Sequence, residues 1–150
     1  SVPVLGETDP SDGDLVILPI RVRNPSVIHV DMSPTELRFD AAVGTGVIPA
    51  DQDVRFTVAT NAPSWSVQCQ ASNLVSEAGE IPAARLLWER LDESGRTVES
   101  GNLGEAPVVY HGTTPTTGTT AILRFKVQIT MRDVAGAYHG AIALMGVAGP

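Results

Sequence analysis

The sequence predicts an all-β protein, an antiparallel sandwich of short strands joined by turns. Three observations carry that expectation. Apolar and polar residues alternate at period two through most of the chain, which puts one face of each segment in a core and the other in water. Clusters of Gly, Pro, Asn, Asp and Ser interrupt the alternation at short intervals, as turns between strands do. Only one segment, Ala84 to Leu91, offers a competing helical face. At 150 residues the chain suits one domain with a substantial core plus an N-terminal arm, and is too short for two domains of ordinary size.

Residues 1–13 read as arm and turn. Asp9, Asp12 and Asp14 set hard oxygen donors around Gly13. A calcium loop needs more donors and a distal bidentate Glu, so no metal is expected there. Asp14 to Arg23 is a strong apolar strand. Val16, Leu18, Ile20 and Val22 share one face, and Leu15, Ile17 and Pro19 the other. Such a strand is a hazard as an exposed edge and demands a cover. Asn24-Pro25-Ser26 breaks the pattern and spans about 10 Å at most. The arm therefore either hairpins back on its own subunit or leaves it.

Val27 to Val30 and Glu36 to Phe39 read as the next strands, and Ala41 to Pro49 as a small, glycine-rich loop. In Asp53 to Asn61, Val54, Phe56 and Val58 point inward. Trp65, Val67 and Cys69 follow the same rule after the turn at Asn61-Ala62-Pro63, which makes Cys69 a small buried hydrophobe. Ala84 to Leu91 reads as a strand because it lies among strands, although Ala84, Leu87, Trp88 and Leu91 also fit a helical face. Ser94-Gly95 and Gly101 to Gly104 read as turns, with Val108 to Tyr110 a short strand beyond them. Thr113 to Thr120 is expected to be surface loop, and its Thr113, Thr114, Thr116, Thr117, Thr119 and Thr120 are candidate acceptors of O-linked sugar. Ala121 to Arg132 is the clearest strand, with Leu123, Phe125, Val127, Ile129 and Met131 on one face. A final strand aligns Tyr138, Gly140, Ile142 and Leu144.

Composition narrows the function classes. The hydrophobic share is 43% and the charged share 18%, which is the balance of a globular chain. No apolar run is long enough to cross a membrane as a helix. A net charge of -7 and scattered arginines oppose general affinity for nucleic acid. The single cysteine forbids an internal disulfide. A start at Ser1 without Met fits a processed, mature protein.

No catalytic constellation is apparent, and no enzyme, cofactor or metal centre is expected. His29, His111 and His139 fall on or beside separate strands, with no His-x-x-x-His or paired-Cys spacing. No Gly-x-Ser-x-Gly elbow or phosphate-cradling loop occurs. Asp51 with Asp53, and Asp92 with Glu93, read as solvated loop charges. A sugar-binding module would need exposed rings, for which Trp88 and Tyr110 are the free candidates.

Asp133, Gly136 and Tyr138 are spaced like the tyrosine corner of immunoglobulin-like folds, where the tyrosine opens the penultimate strand. That leaves only Ala148, Gly149 and Pro150 for a last one. The apolar arm, the run Val30-Asp31-Met32-Ser33-Pro34-Thr35-Glu36-Leu37-Arg38-Phe39, Trp65 after a turn, and the strand opened by Gly136 and Tyr138 together resemble the bacterial pilin and spore coat protein U type of surface subunit. The resemblance implies an immunoglobulin-like antiparallel β-sandwich lacking its last strand, with residues 27–150 as the sandwich and residues 1–26 as an arm carrying the donor strand. It implies a secreted structural subunit of a cell-surface filament, pilus or fimbria-like, polymerising head to tail by donor-strand complementation with copies of itself.

The expected donor residues are Leu15, Val16, Ile17, Leu18, Ile20 and Val22. The expected acceptor groove is Phe125, Val127, Ile129, Tyr138, Ile142 and Leu144. The chain lacks the disulfide of many chaperone-assembled pilins, so its assembly route is open. An adhesion module and a viral capsid or tail subunit are the alternatives.

Overall fold

The computed structural model describes residues 13–40 and 45–149. Eleven strands follow in order: β1 Ile28–Ser33, β2 Gly46–Pro49, β3 Val54–Thr60, β4 Trp65–Ala71, β5 Leu74–Val75, β6 Glu80–Ile81, β7 Leu86–Leu91, β8 Thr97–Asn102, β9 Val108–Gly112, β10 Thr116–Ile129 and β11 Ile142–Ala148. The one helical element among the described residues is a single 3-10 turn, Ala83–Arg85. The larger sheet runs β1-β3-β10-β7-β8, with β2 beside the second half of β10. The smaller runs β11-β4-β9, and β5 with β6 makes a separate hairpin. Every ladder is antiparallel. The protein is all-β, as expected.

Period-two alternation builds the core. Val54, Phe56 and Val58 of β3, Leu86 and Trp88 of β7, and Leu123, Phe125 and Val127 of β10 face Trp65, Val67 and Cys69 of β4 and Val109 of β9. Each side chain packs because its neighbours two residues away point the same way. From Ile122 to Val127 strand β10 has β7 on one edge and β3, then β2, on the other, and its inward Leu123, Phe125 and Val127 are almost wholly covered. The β7–β8 turn is tied by Asp92, whose Oδ1 accepts from the Ser94 and Arg96 amides at 2.9 Å. Gly95 supplies the positive φ of +86° that the turn needs.

Several expectations fail for identifiable reasons. Glu36 to Phe39 makes only an isolated bridge, Phe39 to Ala50, because the proline at 34 and the charges at 36 and 38 leave it little to pair with. Part of the expected 41–49 loop is strand β2; residues 41–44 lie outside the described residues. The threonine tract is not all loop: β10 begins at Thr116 and passes through a bulge at Thr116/Thr119. Threonine is a good strand former, and hydroxyl pairs Thr116–Thr119 and Thr57–Thr120 occupy the polar face. Strand β8 runs through the expected turn at Gly101, since a glycine opposite Trp88 leaves room for the indole. Met131 is 89% exposed because β10 ends at Ile129. The last strand begins at Ile142, leaving Tyr138 and Gly140 in the approach to it. Within residues 84–92, Ala84 and Arg85 finish the 3-10 turn and Leu86–Leu91 are strand.

Candidate functional site

The arm, residues 13–27, belongs to no strand, and its side chains are exposed. Val16, Leu18, Ile20 and Val22 are 80–86% exposed, whereas Leu15 and Ile17 of the opposite face are 37% and 59%. Four large aliphatic side chains in a row, on one parity, are therefore bare. The segment 1–12, with most of the aspartate-rich turn, lies outside the described residues.

The arm meets the body at Asn61. Its Oδ1 accepts the Val27 amide at 2.7 Å, and its Nδ2 donates to the Pro25 carbonyl at 3.0 Å. The Val27 carbonyl accepts from the Thr60 hydroxyl at 2.7 Å and from the Asn61 amide at 3.4 Å. These bonds extend the β1–β3 ladder by one residue and hold the root of the arm in line with β1.

Beside that root lies an apolar cleft between two edge strands. The Ser72 amide bonds the Ala141 carbonyl and the Gly149 amide bonds the Ser64 carbonyl. In an antiparallel ladder bonded pairs alternate, so Ala143, Met145 and Val147 also spend their backbone groups on β4. The backbone groups of Ile142, Leu144, Gly146 and Ala148 point the other way, to an edge on which no strand lies among the described residues. The same parity turns Ile142 and Leu144 toward the core, where they stay half-buried. On β1 the Val27–Asn61 pair sets the matching pattern: the outer backbone edges of Ile28, Val30 and Met32 meet no strand among the described residues, and their inward side chains are half-buried. The cleft is pinched at one point. A Cβ on Gly146 would lie 2.9 Å from Ile28 Cδ1 and Val30 Cγ2, so the edges meet there only because residue 146 has no side chain.

The expected groove residues divide. Ile142 and Leu144 line the cleft, and Ile129 is half-buried at the end of β10 against β2. Phe125 and Val127 do not line it: at 1% and 2% exposure they are central core on β10, where strands on either side cover them. Tyr138 lies in the β10–β11 connection and donates its hydroxyl to the Val134 carbonyl at 2.5 Å. Ile28, Val30 and Met32 were not expected, although their alternation with His29 and Asp31 is present in the sequence. What was lacking was the pairing of β1 with β3, which only the fold supplies.

Other candidate positions are occupied by packing. Trp88 is 3% exposed, with its Nε1 buried and unpartnered next to Gly101. Tyr110 stacks edge-on against Phe56 and Trp65. Neither ring is a free platform for sugar, which corrects that expectation. Asp53 is not a simple solvated charge either: it pairs bidentately with Arg124 at 2.9 and 3.1 Å, while Asp51 caps the Arg38 amide at 3.0 Å. His29 lies on β1, His111 on β9, and His139 bridges to Val75. Among the described residues no group of three His, Cys, Asp or Glu side chains is placed to hold a metal ion. Burial pushes the Cys69 thiol up to about 12. Comparison with known proteins finds no matching family model, no matching curated protein and no matching solved structure.

Proposed function

We propose that this chain is a structural subunit that polymerises head to tail, the arm of one copy completing the cleft of the next. One observation carries the reading: a bare aliphatic segment and a half-buried aliphatic cleft, flanked by edges that no described strand covers, occur on the same molecule, and the arm is anchored at its root while its aliphatic side chains stay exposed. Exposed edges and bare apolar strands are liabilities that a solitary protein avoids. Strand addition answers both, because backbone bonds satisfy the edge while alternate side chains fill the cleft.

The parity of Pro19 fits this role. With Val16, Leu18, Ile20 and Val22 inward and the arm antiparallel to β11, the even-numbered residues bond to β11. Pro19, which has no N–H to give, falls on the odd parity, where that ladder needs none. Entry of the arm displaces Ile28 and Val30 from Gly146 and opens the pinch. The interface is heterologous and does not close on itself, so it grows a fibre. The Tyr138 tie to Val134 supports an immunoglobulin-like arrangement in which β11 is penultimate and the arm supplies the missing last strand. A secreted, cell-surface setting follows from the filament reading.

The test is assembly of the full chain against a Leu18→Asp, Ile20→Asp double variant, followed by light scattering and negative-stain electron microscopy. The native protein grows in mass with concentration and forms fibres. The variant stays monomeric, and a synthetic peptide of residues 14–23 caps growth of the native protein. Equal assembly of both proteins rejects the mechanism; closed shells in place of fibres reject the filament and favour a capsid-type subunit.

A further inference from the structure

We propose that the arm seats on β11 of a second copy in a single register, with Val16, Leu18, Ile20 and Val22 opposite Ala148, Gly146, Leu144 and Ile142, and that Asn24 is the residue that stops it slipping. The inference rests on the strand-exchange reading and adds which residues meet and whose arm is used. Strand β11 turns four positions, Ile142, Leu144, Gly146 and Ala148, toward the edge that no described strand covers. The arm carries four inward aliphatic residues, bracketed on the same parity by Asp14 and Asn24. Four match four in one antiparallel alignment only.

A slip of one residue turns Pro19 and Arg21 into the cleft. A slip of two in one direction sets the Asn24 amide against Ile142 with no polar partner. It also pushes Val16 past Ala148, where Gly149 at φ +77° has turned the backbone out of line. A slip of two in the other direction brings Asp14 opposite Ala148 and Val22 opposite Gly140. The cleft is filled at that level: a Cβ on Gly140 would lie 2.7 Å from Leu74 Cδ2 and 3.1 Å from the Asn73 carbonyl oxygen.

The same register decides whose arm it is. Ile28 pairs with Thr60 and Ala148 with Trp65, and a short turn joins Thr60 to Trp65, so Ile28 and Ala148 lie at one end of the body. The contact of Ile28 and Val30 with Gly146 agrees. A seated arm leaves the cleft at the other end, with Arg23 opposite Ala141. To return to its own Ile28 the chain would have to climb about five strand residues, roughly 17 Å, on a link that reaches about that far only when fully taut. A taut link leaves no residues for the two reversals of direction that the return requires. The occupant is therefore a second copy.

The experiment follows a disulfide. Odd-numbered arm residues fall in the non-bonded pairs of this ladder, where Cα atoms lie about 4.5 Å apart and cysteines can join. A fluorescent peptide of residues 14–25 carrying Arg21→Cys is oxidised with full-length Ala141→Cys, Ala143→Cys or Met145→Cys protein, each held below its assembly concentration and read on non-reducing gels. All three positions are exposed, and each reports one register. The native Cys69 is fully buried and does not compete. Ala143→Cys is expected to take the label at least about tenfold faster than the other two. Adding Asn24→Val to the peptide supplies a fifth apolar residue, so the register with residue 24 opposite Ile142 again matches four with four. Labelling of Met145→Cys should then rise to within about threefold of Ala143→Cys.

Label that favours Ala141→Cys or Met145→Cys, or spreads evenly over all three, overturns the register. An unchanged preference with the Asn24→Val peptide overturns the role of Asn24. Failure of the cysteine-free peptide to bind native protein, read by fluorescence anisotropy, overturns the strand-exchange reading itself and is separate from both.

Discussion

The two open sides of this protein are held shut in different ways. At the β7–β9 side the sheets are joined by polar bonds: Arg90 Nε donates to the Val109 carbonyl at 3.0 Å, and its guanidinium stands 5.2 Å from the Tyr110 ring. The outermost strand there, β8, is short, polar and fully exposed. At the β1–β11 side the described residues share no hydrogen bond, and contact is made by Ile28 and Val30 on a glycine. Directional bonds with their partners in place leave nothing for a second molecule to supply. Apolar contact over unpaired backbone edges leaves a great deal, and the arm carries the matching parts.

The largest expected effects separate core from cleft. Phe125→Ala removes a ring at 1% exposure and is expected to cost about 3–5 kcal/mol in urea unfolding of the monomer. Leu144→Ala, half-buried at the open edge, should cost about 1–2 kcal/mol in the same measurement. On the strand-exchange reading it should cost more in the assembled form, because an arm from a second copy would cover it. Equal losses in monomer and polymer would show that nothing packs on Leu144.

Gly146→Ala sharpens the contrast at the pinch. The added methyl meets Ile28 and Val30 at 2.9 Å, so the free subunit is expected to lose about 1–3 kcal/mol as those side chains are forced aside. Peptide capture should be spared or improved, because the entering strand moves the same residues. A variant weakened equally in folding and in capture would place the arm elsewhere.

A proline pair tests the ladder itself. If the arm adds antiparallel to β11, Ile20→Pro removes a donor that would face that strand, and relative to Ile20→Ala it should weaken arm-peptide binding about tenfold. Arg21→Pro falls on the parity of Pro19 and should leave binding within about twofold of native, since no bond to β11 is lost. The reverse ranking, read by fluorescence anisotropy, would mean that the arm enters parallel to β11.

Much of this was legible in the sequence because period-two alternation is a local property. Val54 to Val58, Trp65 to Cys69 and Leu123 to Val127 declare their inward faces without reference to any partner, and so does the arm. The cleft was only half legible. Ile142 and Leu144 were placed by their own alternation, but Phe125 and Val127 show the same alternation and lie in the middle of a sheet. Periodicity tells which way a side chain points and is silent on whether its strand is central or at an edge. Edge position is decided by long-range pairing, such as β1 with β3 across some thirty residues of chain. Asn61 was hidden for the same reason: in the sequence it is a turn residue, and its partners Pro25 and Val27 are more than thirty positions away.

Acid offers the smallest effect and separates polar ties from apolar ones. Arg85, at the start of β7, donates to Asp133 beyond β10 at 2.6 Å, and the Thr130 amide bonds the same carboxylate at 2.7 Å. The guanidinium first, and then the backbone amide, hold the Asp133 carboxyl well below its ordinary value near 3.8. The folded state therefore binds its proton less readily than the unfolded chain does. The stabilisation is complete above the ordinary carboxyl range and drains away as pH falls through it toward the depressed value. Asp133→Asn is expected to lower the urea midpoint near neutral pH and to flatten the decline between about pH 4 and pH 2. Some decline persists, because Asp92 is also depressed by its Ser94 and Arg96 bonds. The arm face and the cleft residues Ile28, Val30, Met32, Ile142 and Leu144 contain no titratable side chain. Capture of the arm peptide by native protein should accordingly hold constant down to the pH at which the subunit itself begins to unfold. A peptide affinity that fell well above that pH would put a charged group in the interface and move the site away from this cleft.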